Sequence, residues 1–461
     1  MLFNSSEFLK FLLAFCLAYY LARNHLRVRN LLVIAASYLF YGWWDWRFLG
    51  LIVISTLLDY CVGLGLGRTS SPVRRRLLVA ASVAGNLAIL GFFKYYDFFV
   101  TSLAAALQEV GLPFHPRTLK IILPVGISFY TFQTMSYSLD VYRGVTRPTR
   151  DLAAFAAYVS FFPQLVAGPI ERAHRLLPQF LTTRVITADM LGRGMWLLVW
   201  GMFKKVVIAD SLGPMVDAIF AAPELSGPAV ALGVVAFGIQ IYCDFSGYSD
   251  IARGVARFFG FDLMVNFNLP YLARSVRDFW HRWHISLSTW LRDYLYIPLG
   301  GNRKGPGRTM VNIMITMLLG GLWHGAAWHY VLWGAWHGWG LCLERLLRPK
   351  RKAPPRGAGA AVSWALTMLF VFYGWLLFRA PNLEHAARMT LALGNFAVEP
   401  WLPAGVGMTA LLALVLAAVE WPGATRWIER GPVRIGLQAI FIAVIAAVWR
   451  VHARPFIYFQ F

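Results

Sequence analysis

The stretch NFNLPYLARSVRDFWHRWHISLSTWLRDYLYIPLGGNRKGPGR (266–308), continued by TMVNIMITMLLGGLWHGAAWHYVLWGAWHG (309–338), decides how this chain is read. Its first part is dense in Arg, Asp, His and Trp. Its second part is a membrane-grade apolar run interrupted by Trp-His pairs. Five of the ten histidines stand here: His281, His284, His324, His329 and His337. An ionisable side chain at membrane depth is costly and marks a working site by default, so function is expected in this stretch.

Working outward, the 461 residues are 58% hydrophobic and only 14% charged, where a soluble protein carries about a quarter charged residues. The fold expected is all-α, a polytopic membrane bundle. About twenty apolar residues cross a bilayer, and such runs recur at 2–22, 30–46, 48–67, 77–99, 119–142, 152–168, 191–210, 228–246, 309–323, 326–347, 361–379, 404–420 and 433–451. They predict about eleven to thirteen hydrophobic helices in one membrane-embedded domain over 1–461, with a core over about 119–347. The opening MLFNSSEFLKFLLAFCLAYYLA lacks a basic n-region and an A-x-A site, so it reads as a retained first span.

The net charge of +21 does not point to nucleic acid, because the basic residues sit between apolar spans. Arg23, Arg27 and Arg29 form one cluster; Arg68 with Arg74, Arg75 and Arg76 another; Arg143, Arg147 and Arg150 a third. That is the pattern of cytoplasmic loops against anionic lipid, and it puts the N-terminus outside. Cys16, Cys61, Cys243 and Cys342 lie in or beside apolar runs without close pairing and read as small buried hydrophobes.

Several segments are irregular. ILPVGISFYTFQ (122–133) carries Pro124 and Gly126, and FFPQLVAGPIER (161–172) carries Pro163, Gly168 and Pro169. Either these are ordinary proline kinks, or they are broken helices lining a watery pocket, where freed backbone groups find partners. Over 249–296 charges alternate with aromatics at helical spacing, which predicts amphipathic helices at an interface. The segment PKRKAPPRGAGA, about 349–360, reads as a linker. There is no internal repeat, no GxGxxG and no Walker loop.

For chemistry, His324 follows Trp323 among Gly320, Gly321 and Gly325, which leave room for close approach. A neutral imidazole there suits a general base for a hydroxyl or thiol; a buried histidine satisfied by a carbonyl, or one at the membrane edge, is the bland alternative. Were the helix continuous through Gly325, His329 and His337 would both project about 140° round the axis from His324. His281 and His284, at i and i+3, could share a helical face and form a metal half-site. Their neighbourhood lacks carboxylate or thiolate company beyond Asp278 and Asp293, so no metal is expected. Trp43, Trp44 and Asp45 read as an aromatic belt. QIYCDFSGYSDIARG (240–254) places Gln240, Tyr242, Asp244, Ser246, Tyr248, Ser249 and Asp250 at the end of an apolar span. A cap by Ser246 or Asp250 explains only part of that density.

At these residues the chain resembles the membrane-bound O-acyltransferases, in the bacterial branch of the alginate O-acetylation type, related to the teichoic acid D-alanyl transfer protein. The matching pieces are MLFNSSEFL, PVGISFYTFQTMSYSLDVYRG, FFPQLVAGPIER, YCDFSGYSDIARG, NFNLPYLARSVRDFWHRWHISLSTWLRDYLYIPLGGNR, GLWHGAAWHYVLWGAWHG and FIYFQF. The resemblance implies that His324 is the essential intramembrane histidine and His284 the second polar position, in a central tunnel open to both faces. It gives His281 no role. It further implies an acetyltransferase of a bacterial inner membrane, moving acetyl from cytoplasmic acetyl-CoA towards an exported polysaccharide with an extracytoplasmic esterase-like partner. No tightly bound cofactor is expected. Gln240, Asp244, Ser246, Tyr248 and Trp323 are the candidates for the substrate-binding wall. The rivals are another acyl group (D-alanine from a carrier protein, or a fatty acyl chain) and a polysaccharide or lipid transporter without acyl chemistry.

The charge pattern makes the first prediction. Single cysteines placed in the Arg23–Arg29, Arg68–Arg76 and Arg143–Arg150 loops resist an impermeant thiol reagent added outside intact cells. Efficient labelling reverses the topology.

Overall fold

The computed structural model describes residues 1–347, 357–428, 430–449 and 454–457. Among the described residues every regular element is helical. The chain divides into two compact units, one of 1–195 with 252–264, the other of 196–251 with 265–461.

The first unit opens with α1 (Ser6–Ala22), α2 (Leu26–Asp45), α3 (Leu49–Arg68), α4 (Pro72–Leu90) and α5 (Tyr96–Glu109). It continues with α6 (Ile127–Arg143), α7 (Leu152–Ser160), α8 (Phe162–Leu165) and α9 (Ala173–Phe180), and α10 (Ala188–Met202) starts in it. The run expected as a helix from 119 is helical only from Ile127. Pro124 lacks a backbone donor, and Gly126 sits at φ +77° with a Cβ position only 2.9 Å from the Leu165 carbonyl. The run 152–168 is broken at Phe161, between α7 and α8. Phe3, Phe8, Phe15, Phe40 and Phe162 form the buried aromatic centre. Arg29, fully buried, donates to the carbonyls of Thr182, Gln179 and Phe180 and so caps the end of α9.

The second unit begins in α10 and passes through a π-helical stretch, Phe203–Ala209, into α11 (Asp210–Ala221). Next comes α12 (Gly227–Phe258), 32 residues without a break. The polar residues 240–250 therefore do not cap a helix end; they line one in mid-course. The amphipathic segment beyond contains only the short α13 (Val276–Arg282) and α14 (Ile285–Leu291). They are followed by α15 (Gly305–His324), α16 (Trp328–Leu347), α17 (Ala358–Arg379), α18 (Leu383–Ala392), α19 (Leu402–Glu420), α20 (Pro422–Ile428) and α21 (Gly431–Val448). Most of the expected linker, 349–356, lies outside the described residues, as do 458–461 of the closing FIYFQF; Ala358–Ala360 already belong to α17.

Six helical stretches are long and apolar enough to cross a membrane among the described residues: Leu26–Arg68, Pro72–Glu109, Gly227–Phe258, Ala358–Arg379, Leu402–Glu420 and Gly431–Val448. The other expected spans are present as helices that are shorter, less apolar, or broken at Gly126 and Phe161.

Glycines let α15 and α16 meet backbone to backbone. A Cβ on Gly321 would collide with the Tyr330 carbonyl, and one on Gly334 with the Met317 carbonyl. Overfilling such a contact costs about 1–3 kcal/mol. Gly334→Ala therefore lowers the melting temperature in detergent, whereas Gly307→Ala, with open space around its Cβ, does not; equal melting points would contradict this packing.

Candidate active site

His324 is the last residue of α15, and Gly325 after it is extended, at φ −164° and ψ 151°. The helix stops there and α16 starts only at Trp328. The premise of one helix running through Gly325 therefore fails, and with it the angular placement of His329 and His337. What surrounds His324 is aromatic: Trp323 at 5.1 Å between ring centroids, Trp333 at 5.0 Å, Phe378 at 5.3 Å and the imidazole of His284 at 6.4 Å. The side chain is 4% exposed.

His284 lies between α13 and α14 with φ +42° and ψ 54°, a left-handed conformation that a non-glycine residue adopts only when its surroundings impose it. The helix carrying His281 has ended by then. His281 is exposed with Nδ1 on the Arg277 carbonyl, whereas His284 is fully buried, so the two share no helical face. No cluster of three or more His, Cys, Asp or Glu poised to hold a metal occurs among the described residues.

Asn266 is what imposes the geometry. Its Oδ1 accepts the Ser286 backbone N–H at 3.1 Å and the Ser286 hydroxyl at 2.9 Å, and lies 3.1 Å from His284 Nδ1. The backbone N–H can only donate, so this atom is the amide oxygen, and His284 Nδ1 must carry the hydrogen. The basic lone pair of the neutral ring is then on Nε2. The amide nitrogen of Asn266 donates to Ser249 on α12, and its carbonyl accepts from Ile285 N–H. Phe245, one turn before Ser249, packs edge-on against His284 at 4.7 Å. Burial pushes the His284 pKa down to about 3, so this ring, outside the spanning helices, is neutral at physiological pH.

Trp323 is buried beside both imidazoles, its ring 5.7 Å from His284 and 5.1 Å from His324. Asp244 and Tyr248 have other partners as well. Asp244 holds Lys205 Nζ at 2.6 Å and accepts the Ile457 backbone N–H at 2.8 Å; Tyr248 packs on Phe456. Gln240 and Ser246 are buried on α12. Lys205 also pairs with Asp210 at 2.9 Å, while its neighbour Lys204 pairs with Asp250 at 2.6 Å and Glu420 at 3.5 Å. His329 packs on Tyr330, and His337 lies among Phe279, Trp280 and Trp333.

Two parts of this arrangement escaped the sequence. Asn266 acts across 18 residues of irregular chain, where no periodicity points to it. The Lys204–Lys205 pair did carry a signal, two adjacent cations in the apolar run 191–210.

The family model described as the membrane-bound O-acyltransferase family matches residues 146–383, just over half of the chain and including both histidines. The chain belongs to this family. It is a multi-pass membrane acyltransferase. It is 48% identical over 405 residues to a probable alginate O-acetylase AlgI of Pseudomonas putida, covering 86% of this chain and 81% of that protein. It is 36% identical over 421 residues to a peptidoglycan O-acetyltransferase of Helicobacter pylori, covering 84% and 79%. To a teichoic acid D-alanyltransferase of Streptococcus thermophilus it is 31% identical over 242 residues, covering 50% and 58%.

The network around Asn266 predicts that Asn266→Ala, which frees the His284 ring to rotate and change tautomer, lowers acyl transfer by roughly 10²-fold while the protein keeps its yield and elution volume. Unchanged transfer in the folded variant would remove Asn266 from the site.

Proposed function

We propose that this chain transfers acetyl groups from acetyl-CoA, taken from the cytoplasm, to or towards an exported polysaccharide on the outer side of a bacterial inner membrane. The observation that carries the reading is the buried His284–His324 pair, its centroids 6.4 Å apart with Trp323 against both, in a chain close to half identical to proteins named for alginate O-acetylation. Only tertiary packing joins these positions, 324 − 284 = 40 residues apart in sequence.

In this mechanism His324 is the general base. An acceptor hydroxyl adds to the thioester carbonyl as its proton passes to the His324 imidazole. The C–O bond forms, the C–S bond breaks, and the proton leaves His324 for the departing thiolate. A neutral imidazole is suited to both halves of that exchange. His284, with Nδ1–H turned to Asn266, offers Nε2 as a hydrogen-bond acceptor that orients the hydroxyl. Trp323 lies against both rings, and the surrounding indole and phenyl groups exclude water that would otherwise hydrolyse the thioester. Gln240, Asp244, Ser246 and Tyr248 are assigned a supporting role through α12, whose neighbouring face carries Phe245 and Ser249 to the His284 side.

The reading includes a tunnel that brings donor and acceptor to the histidine pair, and an esterase-like partner outside that completes delivery to the glycan. The donor acyl group is taken as acetyl because the relatives matched over most of their length are named for O-acetylation, whereas the D-alanyl-transferring relative is matched over about half of this chain.

Membranes holding the chain, given labelled acetyl-CoA and the exported glycan, acetylate the acceptor. General-base assistance is typically worth about 10²–10⁴-fold, and His324→Ala loses at least that much with unchanged protein size and yield. His329→Ala and His337→Ala lose less. Near-normal acetylation by folded His324→Ala sinks the assignment, and glycan movement without label transfer in the wild type would favour a transporter.

A further inference from the structure

Within the first unit, α3, α4 and α6 bring together a second polar centre for which acyl transfer has no use. Asp59 on α3 is fully buried. Its Oδ1 accepts from Ser82 Oγ and Ser138 Oγ, each at 2.5 Å, and its Oδ2 accepts from Asn86 Nδ2 at 2.7 Å. All three partners are neutral donors, which favour the ionised carboxylate against the cost of its burial. Among the described residues no Lys, Arg or His pairs with it. Ionised, the group would be solvated by hydrogen bonds but not neutralised, although α3 and α4 both lie in stretches apolar enough to span the bilayer. A lone buried charge is expensive in that setting.

Beside the carboxylate stands a cluster of oxygens of another kind. Ser55 Oγ is 2.9 Å from Asn86 Oδ1 and 3.3 Å from Thr134 Oγ1, and Thr134 Oγ1 is 3.3 Å from Asn86 Oδ1. These residues are at most 1% exposed, as are Ser82 and Ser138. The centre therefore combines one carboxylate with hydroxyl and amide oxygens from three helices, which is the donor set of a hard cation. We propose that it binds a monovalent cation of the size of sodium, held by Asp59 with the oxygens of Ser55, Asn86, Thr134 and Ser138. A single negative charge is neutralised by a monovalent ion and overcompensated by a divalent one. Size selects within that class. Sodium has nearly the radius of calcium, whose ligands sit at about 2.4 Å, so ligands at right angles on its shell are about 3.4 Å apart, close to the edges of the Ser55–Asn86–Thr134 triangle. Potassium needs a wider cage. Bound there, the ion ties α3, α4 and α6 together and shares in holding the first unit.

The test follows thermal unfolding of the full chain in detergent by tryptophan fluorescence, in NaCl, KCl or choline chloride at equal ionic strength and pH. Binding to the folded state alone gives a saturable rise in melting temperature. Sodium raises it by several degrees and potassium by less. Asp59→Asn abolishes the difference between salts. Thr134→Val, which leaves the carboxylate in place, shifts the half-saturating sodium concentration upward by about tenfold; it keeps the proposal testable if Asp59→Asn does not fold. Identical melting in all three salts, or a sodium response unchanged in Asp59→Asn or in Thr134→Val, overturns the site.

Discussion

The chain reversal at Gly325 is the constraint on which the second unit turns. Gly321 and Gly334 admit the Tyr330 and Met317 carbonyls where any Cβ would collide, and Gly325 receives the Tyr330 ring in the same way. Because α15 must stop there, His324 becomes a helix-terminal residue facing Trp333 of α16 and Phe378 of α17. Those rings are buried to a few per cent exposure. An imidazole held among them has little freedom to rotate and little water around it, which would preorganise the proposed base.

The second histidine is held by hydrogen bonds. Asn266 gathers donors from Ser286 and His284 on one oxygen and anchors its own amide nitrogen to Ser249. The left-handed backbone at His284 is sustained by that network. Aromatic rings pack round one imidazole, hydrogen bonds hold the other, and Trp323 lies against both. Around them the second unit buries Lys204 and Lys205 with Asp250, Glu420, Asp244 and Asp210 at ion-pair distance. Removing one member of a buried pair is more damaging than the pair is stabilising. This network ties the π-helical stretch and α12 to Pro455 and Ile457 near the end of the chain.

Helices were legible because twenty-residue apolar runs have few other uses, and all the expected runs contain helix. Their ends were less so. At Ile127 the helix begins late because Pro124 and Gly126 dictate a turn, and α12 runs on past Asp250 because charged residues on it find buried partners in place of solvent. The histidine pair was legible as two motifs. Its geometry was not, since His284 lies beyond the helix that its spacing from His281 suggested and Asn266 has no pattern to betray it. Asp244 stood out by composition, yet its partner is Lys205, and which face of α12 meets which neighbour is decided by packing that a periodicity cannot contain.

The central claim is that acyl transfer takes place between His284 and His324. Cryo-electron microscopy of the chain with a non-hydrolysable acetyl-CoA analogue tests it most directly. The account predicts the acetyl carbonyl within about 3.5 Å of an imidazole nitrogen of His324, inside the ring of Trp323, Trp333 and Phe378. An acetyl group seated at the Lys205–Asp244 network, or anywhere out of reach of both imidazoles, would contradict it.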